Sequence, residues 1–292
     1  MNIKYYNEIK KTNSWFWDRD KKYYLVAGTD MDNLLSCLLM LEHRPNWEIG
    51  FFYDYNDGIY KNLDVPEDVN INSDNVIFVD CSVPQDRIKC ISNHMVKIKE
   101  TDQVNKNDIN LNILDNIHMS NSRYDYHNKY NLNTLILIYS LLGLKPKSIA
   151  ESAILLLPDS AFLGYFANKN YKDYWVLKRY LLEVLELPEL FDVLEQVGDL
   201  QRFRNGQDAL NINTQVWVTD TEIITADDVD LEYLCETLGI DVDILDKLKG
   251  MYGLIEEHRS YRGSAYTEYD KSDMWSFAVI SKDRVVYSKK VI

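Results

Sequence analysis

Two carboxylates stand one residue apart in Thr29-Asp30-Met31-Asp32-Asn33, directly after an apolar run at 23–27 and directly before a helical pattern. Carboxylates at a strand-to-helix corner present oxygen atoms to the crevice at the carboxyl edge of an open sheet. Oxygen donors of this kind suit a hard or borderline divalent cation. Asp is also a favoured helix N-cap, the commoner use of an isolated Asp at such a corner. Further candidates follow later apolar runs: Asp80 after 76–79, His94 after the short run 87–92, and Asp159 in the helical break Pro158-Asp159-Ser160. A cap ahead of Ser82 and Pro84 is the bland role open to Asp80. Asp159 has apolar residues on both sides, and a carboxylate buried there needs a partner or a metal. Gathered at one sheet edge, the carboxylates of Asp30, Asp32, Asp80 and Asp159 with the His94 imidazole would hold one or two Mn2+ or Mg2+ ions. Such ions activate a water and clamp a phosphoryl oxygen, so phosphoester hydrolysis is the natural reaction class.

The elements that must position these residues read as an α/β fold. Apolar residues at 34, 35, 38, 39 and 41 recur at helical spacing after the first run, giving strand then helix. A second strand spans 47–54, and 76–79 is continuously apolar, as in a strand of a parallel sheet covered on both faces. The segment 97–130 is long and polar, with a short strand expected at 111–114. An apolar helix spans 132–142, and a second, at 148–167, is interrupted at Pro158. Amphipathic helices at 171–187 and 189–200 form a connector, and the polar stretch 202–213 marks a boundary. The expected organisation is therefore a Rossmann-like parallel sheet over 1–170, a helical connector over 171–205 and a smaller α+β unit over 206–292. In that last unit a β-like run at 214–218 precedes helices at 228–238 and 241–257, and a hairpin of 274–280 with 285–288 turns at Lys282-Asp283.

The bulk numbers narrow the function classes. Lys and Arg number 32 against 46 Asp and Glu, and the net charge of −14 opposes wide non-specific binding to duplex nucleic acid. With 46% hydrophobic and 12% aromatic residues, the chain has material for a packed core and does not read as disordered. Cys37, Cys81, Cys90 and Cys235 are scattered and form no CxxC pair, so they read as reduced thiols of a cytoplasmic protein. Residues 1–22 carry no apolar core of a secretory signal, and no stretch reaches membrane-spanning length, so no membrane partner is expected.

Four segments, VAGTDMDNLLSCLL (26–39), VIFVD (76–80), ISNH (91–94) and LLLPDSAF (155–162), occur with an apolar helix between the third and fourth. In order and spacing they resemble the motifs of the DHH phosphoesterases, a family that includes RecJ-type exonucleases, nanoRNases and cyclic-dinucleotide phosphodiesterases. The resemblance covers residues 23–166. It implies Asp30, Asp32, Asp80 and Asp159 as Mn2+ (or Mg2+) ligands, His94 as a ligand or phosphate contact, and Asn93 as a substrate contact. The substrate would be a short single-stranded oligonucleotide or a small dinucleotide. The departures are Gly28 where His or Asp is usual, Asn33 where Gly is usual, and Ser92-Asn93-His94 in place of the DHH signature. No GGGH run is present, and Lys290 stands where Arg is common. With these changes the corner would hold one metal or none. The alternative is then a catalytically inactive DHH-fold scaffold binding a protein partner or nucleic acid.

The remaining candidates are weighed singly. Arg259 and Arg262, with Tyr261 between them, would contact a phosphate or a base from the second lobe, or else mark a solvated helix end. His43, His118 and His127 sit in polar surroundings, and the last two, in the long loop, are the ones able to replace lost ligands. Trp275 and Phe277 read as core.

Overall fold

The computed structural model describes residues 1–119 and 125–291. In chain order the elements are α1 (Ile3–Thr12), β1 (Tyr24–Ala27), α2 (Met31–His43), β2 (Glu48–Asp54), β3 (Gly58–Asn62), β4 (Val76–Val79), β5 (Lys89–Ile91) and β6 (Asp108–Ile109). Helices follow: α3 (Leu111–Leu114), α4 (Thr134–Leu141), α5 (Ile149–Leu156), α6 (Leu163–Phe166), α7 (Lys172–Arg179), α8 (Pro188–Val197) and α9 (Leu200–Ala209). The chain closes with β7 (Trp217–Val218), β8 (Ile223–Ile224), α10 (Leu231–Leu238), β9 (Tyr252–Ser264), β10 (Met274–Ser281) and β11 (Arg284–Lys290).

The protein is α/β, built on one mixed sheet of nine strands in the order β10-β11-β9-β3-β2-β1-β4-β5-β6. The segment β2-β1-β4-β5-β6 is parallel, and everything from β3 outward through β9, β11 and β10 is antiparallel. Both faces of the parallel strands are buried, which explains their unbroken apolar runs. Leu25, Ala27, Ile77 and Val79 face the core under α2 and α4, while Tyr24, Val26, Val76 and Phe78 face a second core closed by Trp275. The sheet curls, so β10 returns to the carboxyl edge of the parallel strands. There Phe277 N donates to Ser82 O and Val279 N to Met95 O. Among the described residues no single helix is long and apolar enough to cross a membrane, and the one pair that passes together, 149–156 with 158–166, is bent by 81°.

Several expectations are corrected. Residues 111–114 form helix α3, because Asn110 caps them, and the strand is Asp108–Ile109, before the cap. The polar stretch 202–213 is largely helix α9, whose Phe203 packs on Phe162 with ring centroids 5.0 Å apart. The expected helix 241–257 ends at Leu248, and 252–264 is the long strand β9, which pairs with both β3 and β11 and carries the sheet across. Strand β3 and the amino-terminal helix α1 gave no signal strong enough to be read. The hairpin β10–β11 forms with Ser281 opposite Arg284, as its pattern predicts.

Candidate metal centre

The strand order reverses between β1 and β4, since β2 lies on one side of β1 and β5 and β6 on the other side of β4. Crevices at such a switch point are where open α/β sheets bind ligands. Asp32 comes to it from the first turn of α2, Asp80 from the end of β4, and Asp159 from the turn after α5. One ligand atom from each lies within 4.8 Å of the others. Opposed oxygens around a divalent cation are roughly 4–5 Å apart, so three carboxylates in this arrangement fit one such ion.

Each carboxylate is held by its surroundings. Asp32 is 1% exposed and caps the amino end of α4, accepting from Thr134 N at 2.8 Å and Leu135 N at 2.9 Å. An anion is stabilised there by free N–H groups and the helix dipole. The hydroxyl of the same Thr134 donates to Asp80 Oδ1 at 2.5 Å. Asp80 takes a left-handed φ of 49°, and Asp159 and Ser160 take 54° and 53°. Such angles cost L-residues roughly 1 kcal/mol each, Asp and Asn less than most, and they aim side chains that extended backbone would not. The turn at Asp159 is clamped from two sides: Asn133 Nδ2 donates to Leu155 O and Pro158 O at 2.8 and 3.0 Å, and Gln207 Nε2 donates to Leu157 O and Ser160 Oγ at 2.7 and 3.0 Å.

The electrostatics of the group are unbalanced. Burial, then the charges of Asp159 and Asp30, drives the Asp32 carboxyl well above the ordinary range. Burial, then Asp32, Asp30 and Asp159, does the same to Asp80. Asp30 is pushed up to about 6 by burial and by Asp159. Among the described residues no Lys or Arg pairs with any of the four, and the nearest candidate cation is His94, with Nε2 at 3.9 Å from Asp80 Oδ1. Burial pushes that imidazole down, opposed by Asp159, and its Nε2 lies 3.1 Å from the Asp80 carbonyl. A bound divalent cation would supply the missing charge.

The predicted site residues divide. Asp32, Asp80 and Asp159 come together, whereas Asp30 stays outside that group as the N-cap of α2, its Oδ1 accepting from Asn33 N at 2.9 Å. No helix follows Asp80, so the capping role does not apply to it. Asn93 Nδ2 reaches Leu132 O at 3.2 Å and Asp159 Oδ2 at 3.4 Å. His118 bonds Asn116 O and His127 bonds Asp173, so neither replaces a ligand. Arg259 and Arg262 lie on strand β9, not at a helix end, and both are exposed. In register, Arg262 pairs with Val286 and shares its face, while Arg259 pairs with Lys289 on the other.

Two cavities meet at His94 and Ile280. The larger, about 360 Å³, reaches Asp159, Asn93, Lys129 and Asn131. The smaller, about 180 Å³, reaches Asp30, Tyr55, Ser276, Ala278 and Val286. The sequence reading missed Thr134, Asn133, Lys129 and Gln207. Only Asn133 carried a readable signal, as the polar residue that opens an apolar helix and caps it at Ile136 N.

The flanking departures also have a local cause. Asn33 Oδ1 accepts from Gly28 N and its Nδ2 donates to Val79 O, both at 2.6 Å, which ties the ends of β1 and β4 together. A Cβ on residue 28 would sit 2.9 Å from Asn33 Nδ2, so the amide occupies the space a side chain at 28 would need.

Comparison of the chain with family models, curated proteins and solved structures found no match.

Proposed function

We propose that the chain is a divalent-metal-dependent phosphodiesterase acting on short single-stranded oligonucleotides or a small dinucleotide. The observation that carries this reading is the group Asp32, Asp80 and Asp159 at the switch point of the parallel strands, with no Lys or Arg paired to it among the described residues and a cleft beside it. Bound Mn2+ or Mg2+ would polarise a phosphoryl oxygen and lower the pKa of a water. The three aspartates would hold it, and Thr134 would orient Asp32 and Asp80 as a supporting contact. Lys129 and His94 line the cleft and serve as phosphate contacts, while Arg262 offers a charge from the face that Val286 presents to the smaller cavity. Local charges in an otherwise acidic protein favour a short substrate over duplex.

On this reading the parallel segment is a divergent DHH-type, Rossmann-like unit over 1–170, followed by a connector over 171–205 and a substrate-facing α+β unit over 206–292. Four free buried cysteines accord with a cytoplasmic location. The second reading, a non-catalytic scaffold for a protein partner or nucleic acid, draws on the replaced signature. Ser92 is bonded to Asp108 and Asn93 to Leu132 O, so both are engaged by the protein itself.

The deciding experiment incubates purified protein and its Asp80→Asn variant with Mn2+ and labelled oligonucleotides of several lengths, alongside calorimetric Mn2+ titration. Turnover and Mn2+ binding by the wild type alone support the enzyme. Absence of both would leave the scaffold.

A further inference from the structure

The smaller cavity contains a hydroxyl whose hydrogen-bonding sense is set from outside it. Ser276, 8% exposed, shares the inner face of the hairpin with Ser288, and their hydroxyl oxygens are 2.8 Å apart. Ser288 Oγ bonds the Tyr53 hydroxyl, and Tyr53 Oη lies 3.1 Å from His258 Nδ1. At the far side of the ring, His258 Nε2 is 2.7 Å from Glu256 Oε1, while Lys290 pairs with the other oxygen of Glu256. The chain Ser276, Ser288, Tyr53, His258, Glu256 thus crosses β10, β11, β2 and β9, and the His258 side chain is wholly enclosed.

The chemistry of its members orders the protons. An ionised Glu256 is acceptor only, so His258 Nε2 carries a hydrogen. Burial lowers the imidazole pKa against the pull of Glu256, which leaves Nδ1 as a lone pair. Tyr53 must then donate to Nδ1, Ser288 to Tyr53, and Ser276 to Ser288. With its one hydrogen used, Ser276 has only lone pairs for the cavity. Asp30, which lines the same space, also brings an acceptor, and Ala278, Ile280 and Val286 are apolar. The volume, about 180 Å³, is below the roughly 300 Å³ at which pockets begin to take drug-sized ligands, so one ring system fits.

We propose that this cavity is a specificity pocket for a flat heteroaromatic ring bearing an exocyclic N–H donor, as in an amino-substituted nucleobase, and that Ser276 reads the donor. The identification of the ring with a nucleobase rests on the function proposed above. The demand for a donor rests on the hydrogen-bonded chain alone. An analogue lacking the donor leaves a buried acceptor unpaired, which is how a polar site rejects it.

The test is binding of adenosine and cytidine, each against the riboside that lacks its amino group (purine riboside and 2-pyrimidinone riboside), by calorimetry without metal. Wild-type protein is expected to prefer the amino nucleoside of at least one pair on the order of tenfold. Ser276→Ala is expected to bring the pair within about twofold. Tyr53→Phe, or Ser288→Ala if the former does not fold by thermal melt, lets Ser276 turn round and narrows the preference as well. Equal binding of each pair by wild type, a full preference kept in Ser276→Ala, or no binding of any of the four nucleosides overturns the proposal. Neither Mn2+ nor a phosphodiester enters the measurement. Loss of the hydrolytic reading therefore shows separately, as absent turnover with the amino preference intact.

Discussion

Two acidic groups lie along the carboxyl edge of the same parallel strands, buried except for the exposed Asp159, and they are finished in opposite ways. Asp108, 5% exposed, accepts from Ser82 Oγ at 2.7 Å and from Ser92 Oγ at 3.2 Å, with Asn110 Nδ2 at 3.5 Å. Asn110 in turn bonds Ser92 Oγ and the His94 carbonyl, so the cluster fixes the segment that carries Ser92, Asn93 and His94. Asp32, Asp80 and Asp159 have donors on their outer sides, but toward one another they present only oxygen. Burial raises the carboxyl pKa of Asp32 and Asp80 as it does that of Asp108; at the first two like charges add to it, whereas around Asp108 neutral donors subtract. A carboxylate completed by hydroxyls and amides is a structural member. Carboxylates facing each other store repulsion that a cation releases.

The comparison breaks most visibly in activity. Asp80→Asn keeps a side chain tolerant of the left-handed backbone and removes one of the three proposed metal ligands. Turnover with Mn2+ is expected to fall on the order of 10³-fold, read by initial rates, and calorimetric Mn2+ binding is expected to vanish. The same variant is expected to melt higher than wild type without metal, because one buried like charge is gone.

Asp108→Ala has the opposite sign on stability. It strands the donors of Ser82, Ser92 and Asn110, and chemical denaturation is expected to show a loss of about 3 kcal/mol. If Asp108→Ala stabilised the protein and Asp80→Asn destabilised it without metal, the assignment of the two clusters would be reversed.

The pH dependence separates them further. Asp108 rises from an ordinary 3.8 to about 6, chiefly through burial. A raised carboxyl pKa means the folded state binds the proton more tightly. Its contribution to stability is full below the unfolded pKa and is lost as pH rises through about 6, at most about 3 kcal/mol for a shift of this size. Metal-free protein is therefore expected to unfold at lower denaturant at pH 7 than at pH 5. Saturating Mn2+ is expected to abolish the part belonging to the aspartate group, since it favours ionised ligands, and to leave the Asp108 part, which Asp108→Asn alone removes.

Smaller effects sharpen the boundary of the site. Thr134→Val keeps the helix N–H that holds Asp32 and deletes the hydroxyl that holds Asp80. Mn2+ affinity is expected to fall about 10- to 100-fold by calorimetry. Arg262→Ala is expected to raise KM several-fold with little change in kcat, while Arg259→Ala, on the opposite face of β9, leaves both unchanged.

Much of the parallel half was legible because its physics is local. Unbroken apolar runs ending in Asp30 and Asp80 report strands covered on both faces, and the spacing of Leu34, Leu35 and Leu38 reports the helix that covers them. The outer half was less legible. Strand β9 has few buried residues, with Tyr252 and His258 the ones below the surface, so its pattern lacked the alternation that would have separated it from a helix. At the site, chain order was enough to gather Asp32, Asp80 and Asp159 as candidates. It was not enough to separate Asp30 from them, because an N-cap and a ligand at adjacent corner positions are the same residue type.

By itself the sequence determined the carboxylates, the strand end at Asp80, the closing hairpin and the acidic balance that disfavours duplex binding. Tertiary structure alone decided which three aspartates meet and which one caps. It also decided that Asn33 fills the space beside Gly28, that Arg262 and not Arg259 shares the face of Val286, and that Ser276 is tied to Glu256. The physical reason is distance along the chain. Thr134 and Asp32 are 102 residues apart and Tyr53 and Ser288 are 235 apart, and no local propensity links them. Asp32 meets Thr134 because α4 packs against α2, and Tyr53 meets Ser288 because the sheet curls its last hairpin back over its own carboxyl edge.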